Sequence, residues 1–475
     1  MKKYFLILFG GLILTTACEN QLNRAPVDSL ISSTAFETVD DLEAGLIGVY
    51  GGWAFNNVIA HNSIFTDNTK IGADNGGQQL ALVNLQLDPT LNSAGIWTSR
   101  YNTINDCNRI IEAAASITPT EEEQDQYNTI LANMYAIRAY CHMDLLAYYA
   151  EDLNNPNAMG VPYQHFVSAT AQPARPTVDE TVNGDGTAPG IMGDLATAES
   201  LLPAGSSRKD RVNQGFIDMT RARTNLITGN WQGVLNNTTN IINNFQLADQ
   251  NQYLAMFAGD QDQTEVIFTF DNVDGFNTNI ANIWIFTGTD GNFIEMSFGL
   301  FDELANRFLN EGDVRVQANF NPATDGVTEH GIFKYPGSGG VFINDFKVFR
   351  ASEAYLMRAE AFAELNQLGN AAAMIQEVKN ARTGLADAPS AFANLSAART
   401  AILSERRVEL SFEGQRYLDL KRFRNRLNQG LVRDPRDCPG SVPCELNVTD
   451  PKWTFPIPLV ELNGNVNMVQ NPQWL

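Results

Sequence analysis

The stretch Ser404–Phe423 reads S-E-R-R-V-E-L-S-F-E-G-Q-R-Y-L-D-L-K-R-F and alternates charged residues with apolar ones. Numbered as one helix, it places arginines and glutamates on a single stripe, because residues three and four apart are neighbours on a helix. The stripe comprises Ile402, Arg406, Glu409, Glu413, Arg416 and Leu420. Apolar residues around it predict a helix packed on several sides, whose charges need partners on neighbouring elements. A solvated face with i, i+4 ion pairs is the alternative that periodicity leaves open.

Two motifs resemble the SusD/RagB family of outer-membrane nutrient-binding lipoproteins. Residues 405–422 match the signature E-R-R-x-E-L-x-F-E-G-x-R-x-x-D-L-x-R, and the chain ends with F-P-I-P-L-V-E-L-N and N-M-V-Q-N-P-Q-W, similar to the family's terminal motif. The resemblance runs, with gaps, from Cys18 to Trp474. It implies a mostly α fold, a tetratricopeptide-like scaffold of helical pairs with long loop and short-strand insertions. It also implies that the arginine–glutamate stretch is structural.

Two other segments favour helical pairs. Residues 222–234 and 359–373 each combine small residues, as at tight helix crossings, with a predicted Gly-Asn turn, which is typical of tetratricopeptide-like repeats. We therefore predict one domain over residues 39–475. Its long insertions are expected at about 55–93, 250–346 and 424–474. The first is predicted to be a long loop without helical periodicity, and the middle one to contain a strand at Glu265–Phe270.

The N-terminus predicts export. Residues 1–17 carry two lysines, an apolar run and small residues, the pattern of a signal peptide. Cys18 directly after them resembles a lipobox cysteine, acylated as the first mature residue, although Thr15 stands where that motif usually has leucine. Residues 18–38 are then a tether, and the predicted location is the cell surface, with a lipid anchor in the outer membrane. An ordinary signal peptide beside an unrelated cysteine is the alternative.

The net charge and the positions of cysteine and histidine bear on nucleic-acid binding, disulfides and metal sites. A formal net charge of -22 argues against nucleic acid, which needs clustered lysine and arginine. Cys438 and Cys444 bracket a short loop and are predicted to form a disulfide, which an exported protein permits. Cys107 and Cys141 lie in apolar, helical-looking stretches and are predicted to be small core residues. The 4 histidines are scattered, and no clustered ligand set predicts a metal site.

No sequence motif predicts catalysis. The chain lacks a nucleophile elbow, a phosphate-binding loop and an H-E-x-x-H motif. With 54 acidic residues, spacing cannot single out a glycosidase carboxylate pair. We therefore expect no enzyme activity and no cofactor.

Binding needs aromatic faces for sugar rings, and amides and carboxylates for hydroxyl groups, in loops on a rigid scaffold. Two stretches supply them, Asp67–Gln79 and Asn277–Phe293, and the resemblance implies a ligand site made by loops from these same regions. The candidates are Asp67, Asn68, Lys70, Asp74, Asn75, Gln79, Asn279, Asn282, Trp284, Phe286, Asn292 and Phe293. A buried strand residue is the alternative interpretation of Trp284. Lys70 and Asp74, spaced i, i+4, could instead pair with each other.

The resemblance implies a surface lipoprotein that captures a glycan and delivers it to a SusC-like TonB-dependent transporter. Its expected partners are that transporter, the glycan and the outer membrane. Within the family, capture of peptides, as by RagB-like members, is the alternative ligand class. A protein-interaction scaffold without a small ligand is the alternative of a different kind. Exposed aromatic side chains around residue 284 would favour a glycan, and a deep cleft with exposed backbone groups would favour a peptide.

Overall fold

A computed structural model describes residues 35–271, 280–286, 291–336 and 343–475. The predicted signal peptide, Cys18, most of the tether and Asn279 lie outside these ranges. The division into signal peptide, tether and one domain therefore stays a prediction.

Helices dominate the described part of the chain, and the predicted mostly α fold is confirmed. In chain order the helices are α1 (Val39–Gly52), α2 (Asn56–Ile64), α3 (Leu80–Val83), α4 (Ala94–Ala114), α5 (Gln124–Tyr149), α6 (Val178–Asn183), α7 (Gly190–Leu201), α8 (Gln214–Ile227), α9 (Trp231–Asn244), α10 (Gln250–Ala258), α11 (Phe298–Glu311), α12 (Arg315–Asn319), α13 (Ala351–Glu364), α14 (Leu368–Thr383), α15 (Leu395–Glu409), α16 (Arg416–Leu427) and α17 (Leu459–Gly464). None of these helices is both long and apolar enough to cross a bilayer.

The described strands form three two-stranded antiparallel ribbons. They are β1 (Thr69–Ile71) with β3 (Ile294–Met296), β2 (Val266–Phe270) with β4 (Phe346–Arg350), and β5 (Leu431–Val432) with β6 (Glu445–Leu446). Strand β2 confirms the strand predicted in the middle insertion. Its side chains are all buried, in keeping with a short strand in the core of a helical protein.

Antiparallel helical pairs make the scaffold. Helix α8 packs on α9 and α13 on α14, and α9 in turn packs on α13. In the first pair Gly229 adopts φ 74° in the turn, and the Asn230 side chain accepts a hydrogen bond from the Gly233 amide at 3.1 Å. In the second pair the prediction placed the turn wrongly, because Gly369 and Asn370 lie inside α14. Asn366, with φ 58°, turns the chain there instead.

The prediction of one helix over Ser404–Phe423 was wrong. Helix α15 ends at Glu409, and α16 begins at Arg416 after a turn. Phe412 with φ 63° and Gly414 with φ 80° make that turn, a backbone conformation that ends a helix. The stripe of charges is nevertheless buried, because both helices and the turn between them lie in the interior.

Those buried charges form one network. Glu409, fully buried, accepts hydrogen bonds from Arg382 at 2.8 Å, from Arg350 at 2.8 Å and from Arg315 at 3.2 Å. Glu413 accepts from Arg350 at 2.7 Å. Burial alone would raise the pKa of Glu409, but the neighbouring guanidinium groups hold that pKa well below its usual range. The structure therefore favours a buried, paired network over a solvated face.

The prediction that residues 55–93 form one long loop was also wrong, since they contain α2, β1 and α3. Helix α2 is buried from Val58 to Ile64, so it has no polar face and no amphipathic period to detect. Its polar side chains are buried and bonded within the protein. Asn62 Nδ2 donates to the Val58 carbonyl at 2.8 Å, and Ser63 Oγ donates to the Ile59 carbonyl at 2.7 Å.

The cysteines lie in two different environments. Cys438 and Cys444 form a disulfide, with Cα atoms 5.5 Å apart, across the loop between β5 and β6. Cys107 and Cys141 are free and buried, which agrees with their predicted place in the core. Burial raises the pKa of the Cys141 thiol to about 12, so this group stays protonated at neutral pH.

Candidate ligand-binding site

The two loops predicted to bind ligand lie side by side. Strand β1 opens the first and β3 closes the second, and Lys70 pairs with Glu295 in their antiparallel register. The contact continues beyond the strands, where the Gly72 amide donates to the Phe293 carbonyl at 3.1 Å and the Asp74 amide to the Asn292 carbonyl at 3.3 Å. Stretches more than two hundred residues apart in sequence therefore form one surface.

Gly72 allows this close approach. A Cβ atom at this position would lie 2.1 Å from the Asn292 carbonyl oxygen, far inside van der Waals contact. Asn75 fixes the following turn, since its Nδ2 donates to the Phe293 carbonyl at 2.7 Å and to the Gln78 carbonyl at 2.9 Å. The Gly77 amide donates to Asn75 Oδ1 at 3.1 Å. Asn75 is thus a buried side chain that shapes the loop.

A buried ion pair holds the ribbon beneath the loops. Lys70 Nζ contacts Glu295 Oε2 and donates to the Thr328 carbonyl at 3.0 Å. Glu295 also accepts from the Ala73 amide at 2.9 Å and the His330 amide at 3.0 Å. The suggested pairing of Lys70 with Asp74 is therefore wrong. Lys70 lies in the interior and is excluded as a surface contact for a ligand.

Asp67 and Asn68 anchor the loop to the charged network. Both oxygens of Asp67 accept from Arg416, at 2.8 and 2.7 Å, and Asn68 Oδ1 accepts from Arg407 Nε at 3.1 Å. Burial would raise the pKa of Asp67, yet Arg407 and Arg416 hold it well below its usual range. Because both side chains are buried, the structure corrects their expected role from ligand contact to scaffold.

Trp284 lies in the core. Its side chain is 1 % exposed, and its ring lies 5.5 Å from that of Phe412 in an edge-on arrangement. This burial favours the interpretation of Trp284 as a core residue and contradicts stacking on a sugar. Asn292 and Phe293 are also buried beside it, so they too are corrected to positions behind the surface.

Four of the described candidates lie at the surface. Asp74, Gln79 and Asn282 are exposed, and Phe286 is half-buried with its ring 4.9 Å from that of Phe293. Leu80 is 40 % exposed next to them, an apolar contributor that the search for polar residues missed. We name these solvent-accessible residues of the two paired loops, Asp74, Gln79, Leu80, Asn282 and Phe286, the loop face.

The loop face offers hydrogen-bonding groups beside apolar surface, the composition of a non-covalent binding site. Within the described ranges no group of three or more His, Cys, Asp or Glu side chains is arranged to hold a metal ion. The loop face exposes groups that can donate or accept hydrogen bonds, together with part of the Phe286 ring.

Comparisons with known proteins place this geometry in a family. The model of the SusD family matches residues 335–474, and a model described as starch-binding associating with the outer membrane matches residues 24–215. SusD-like protein P2 of Formosa agariphila is 22% identical, with 99% of each chain covered.

Solved structures show the same fold. A SusD superfamily protein from Bacteroides thetaiotaomicron superposes with a TM-score of 0.76 at 20% identity, covering 92% of this chain and 100% of that one. Surface glycan-binding protein A from Bacteroides fluxus superposes with a TM-score of 0.70 at 19% identity, covering 91% of this chain and 99% of that one.

The fold is thus that of a helical-pair protein with loops inserted between its helices. The chain belongs to the SusD family. SusD-like proteins are described as sugar- or glycan-binding, and one of the two matching models is described by association with the outer membrane.

Proposed function

We propose that this chain is a cell-surface lipoprotein, acylated at Cys18, that captures a glycan at the loop face and delivers it to a SusC-like TonB-dependent transporter. The observation that supports it best is the convergence of the two loops on one surface, fixed from below by the Lys70–Glu295 pair. A rigid base keeps exposed groups in place before the ligand arrives, which reduces the entropy cost of binding.

The groups of the loop face suit an uncharged sugar. Asp74 accepts hydrogen bonds from hydroxyl groups, while the amides of Gln79 and Asn282 both donate and accept. Phe286 and Leu80 supply apolar surface for the C–H face of a pyranose ring. The ligand is held and released without covalent change, and the transporter partner follows from the family resemblance.

The test compares two aromatic residues of the same loop, the half-buried Phe286 and the buried Trp284. Phe286→Ala should weaken glycan binding by about five- to thirtyfold, or about 1–2 kcal/mol, while the unfolding midpoint stays close to wild type. Trp284→Ala should do the opposite, lowering the free energy of unfolding by about 3–5 kcal/mol because it empties a buried site. A glycan array first identifies the oligosaccharide, and calorimetric titration and urea denaturation then measure both variants.

Two results would contradict the proposal. If Phe286→Ala binds the identified glycan as wild type does, the aromatic contact is not at the loop face. If the array shows no binding and a library of short peptides does bind, with loss in Asp74→Ala, the ligand is a peptide.

The anchor has its own test. Cys18→Ala should leave a folded protein that no longer fractionates with outer membranes, because a cysteine acyl anchor is the membrane-seeking group. Membrane fractionation with a salt wash measures this, and Cys107→Ala, at a buried position, is the control for losing a cysteine. If the Cys18 variant still sediments with washed membranes, the lipid anchor is wrong.

A further inference from the structure

A second concave surface lies away from the loop face. It is a cleft of about 440 Å³ bounded by helix α16, the start of α9, the segment after α5 and the turn at Pro451–Trp453. Its lining includes Asp152, Asn154, Trp231, Lys421, Arg424 and Asn425. None of the loop-face residues lines it. The volume is within the range of about 300–1,000 Å³ that is usual for small-ligand sites.

Arg424 lacks partners for its guanidinium group. Its Nε and Nη1 atoms are shielded from solvent, yet neither has a hydrogen-bond acceptor in the described part of the chain. The guanidinium packs 5.6 Å from the centre of the Trp453 ring instead. Burial lowers the pKa of Arg424, and the nearby carboxylate of Asp152 offsets only part of that shift. A shielded donor without an acceptor is unfavourable, so an incoming oxygen anion would be stabilised here.

The neighbouring arginines of α16 behave differently. Arg422 donates to Glu360 at 2.9 Å, and Arg426 donates to Glu360 at 2.8 Å and to Glu364 at 2.9 Å. Both charges are therefore neutralised inside the protein. Arg424 differs from them because no described carboxylate lies within ion-pair distance of it.

Lys421 is a second cation of the cleft without a carboxylate partner among the described residues. Its Nζ donates to the Ala147 carbonyl at 2.7 Å, at the C-terminal end of α5. Burial lowers its pKa well below the usual range. One turn of helix thus brings to the same cleft two basic side chains, Lys421 and Arg424, that have no carboxylate within ion-pair distance among the described residues.

The acidic groups of the cleft already have other partners. Asp450 pairs with Lys452 at 3.0 Å, and Asp152 Oδ1 accepts from the Asn154 amide at 3.0 Å. Glu151 Oε2 accepts from the Met159 amide at 3.1 Å. A backbone amide leaves the charge of a carboxylate in place, so Asp152 still attracts both Arg424 and Lys421 electrostatically. Arg424 is distinguished instead by two donors of its own that have no acceptor in the described part of the chain. At physiological salt, charges beyond about 8 Å are largely screened, so the groups that line the cleft matter more for binding than the net charge of the chain.

We propose that this cleft binds an acidic saccharide, with Arg424 contacting the carboxylate or sulfate group. A guanidinium group matches two oxygens of such an anion at once. The exposed amides of Asn154 and Asn425 flank the arginine and suit sugar hydroxyl groups. This inference goes beyond the proposed function, because the site and its ligand chemistry differ from those of the loop face.

Calorimetric titration of the full chain tests it with matched acidic and neutral sugars. The probes are trigalacturonate, its methyl ester, galactose 6-sulfate and galactose. We expect at least one acidic probe to bind about tenfold or more tightly than its neutral counterpart, a difference of about 1.4 kcal/mol. Arg424→Gln should abolish that difference. The control is Arg208→Gln, which removes an arginine outside the cleft whose side chain is 68 % exposed, and it should preserve the difference.

Each outcome decides the proposal. A preference for trigalacturonate alone identifies a carboxylate ligand, and one for galactose 6-sulfate alone identifies a sulfate ester; both support the site. Equal binding of acidic and neutral probes, or a preference unchanged in a folded Arg424→Gln, overturns it. If Arg424→Gln does not fold, Asn425→Asp is the second test, because it adds a negative charge to the cleft at an exposed helix position. This variant should bind acidic probes with a smaller preference over neutral ones. An unchanged preference would show that the proposal is wrong. Phe286→Ala should leave the preference intact, which separates this site from the loop face.

Discussion

Replacing Glu409 by alanine should lower the free energy of unfolding by about 3–5 kcal/mol, a loss typical of breaking a buried ion pair. Glu409 is fully buried and accepts hydrogen bonds from Arg315, Arg350 and Arg382. Removing its carboxylate leaves these guanidinium groups with one anion fewer, in a place where water cannot solvate them. Urea or guanidinium denaturation, analysed by linear extrapolation, measures the change.

The matched control is Glu199→Ala. Glu199 pairs with Arg221 at 2.8 Å, but 44% of its side chain is exposed, so water replaces the lost interaction. Its removal should cost less than about 1 kcal/mol. Similar small losses for both variants would show that the charged network contributes little to stability and that the buried interpretation overstates it.

The arginine–glutamate stretch shows what sequence predicts well. Its charges lie among apolar residues on all sides, and that pattern correctly left burial with pairing as one interpretation. The partners on other elements were not predictable, because Arg315 at the start of α12 and Arg350 at the end of β4 are distant in sequence. The break between α15 and α16 was missed as well. It depends on a left-handed backbone at Phe412, which is rare for an aromatic residue, and at Gly414, a residue type that adopts this backbone readily.

The candidate site shows where prediction from sequence ends. The two stretches were identified correctly as neighbours, since β1 and β3 pair directly. Composition did not predict which side chains face outward, because some polar residues of these stretches bond to buried groups and others are exposed to solvent. Asp67 and Asn68 satisfy buried arginines, whereas Asp74 reaches the surface from the same stretch. Trp284 was ambiguous because a large aromatic residue in a polar loop fits a core position as well as a sugar platform.

Gly72→Ala should separate the two loops and so affect both stability and binding. The new Cβ atom would lie 2.1 Å from the Asn292 carbonyl oxygen and 2.8 Å from its carbonyl carbon, and backbone atoms cannot move aside as a flexible side chain can. The loops must shift apart, which costs about 1–3 kcal/mol of stability, as overpacking in a close-packed interior does. The hydrogen bonds from the Gly72 and Asp74 amides to the second loop should lengthen or break.

Hydrogen exchange and calorimetry together test this expectation. The amide of Asp74 should exchange faster in Gly72→Ala, and affinity for the glycan identified by array should fall on the order of tenfold or more, since a displaced loop no longer presents Asp74 and Phe286 together. Gly51→Ala is the control, because a Cβ at that position in α1 meets no atom within 4 Å. Unchanged exchange together with unchanged affinity would mean that the loops do not depend on their close approach at Gly72. Faster exchange with unchanged affinity would confirm the contact between the loops but show that the ligand binds elsewhere. A site that spans both loops must lose affinity when they separate.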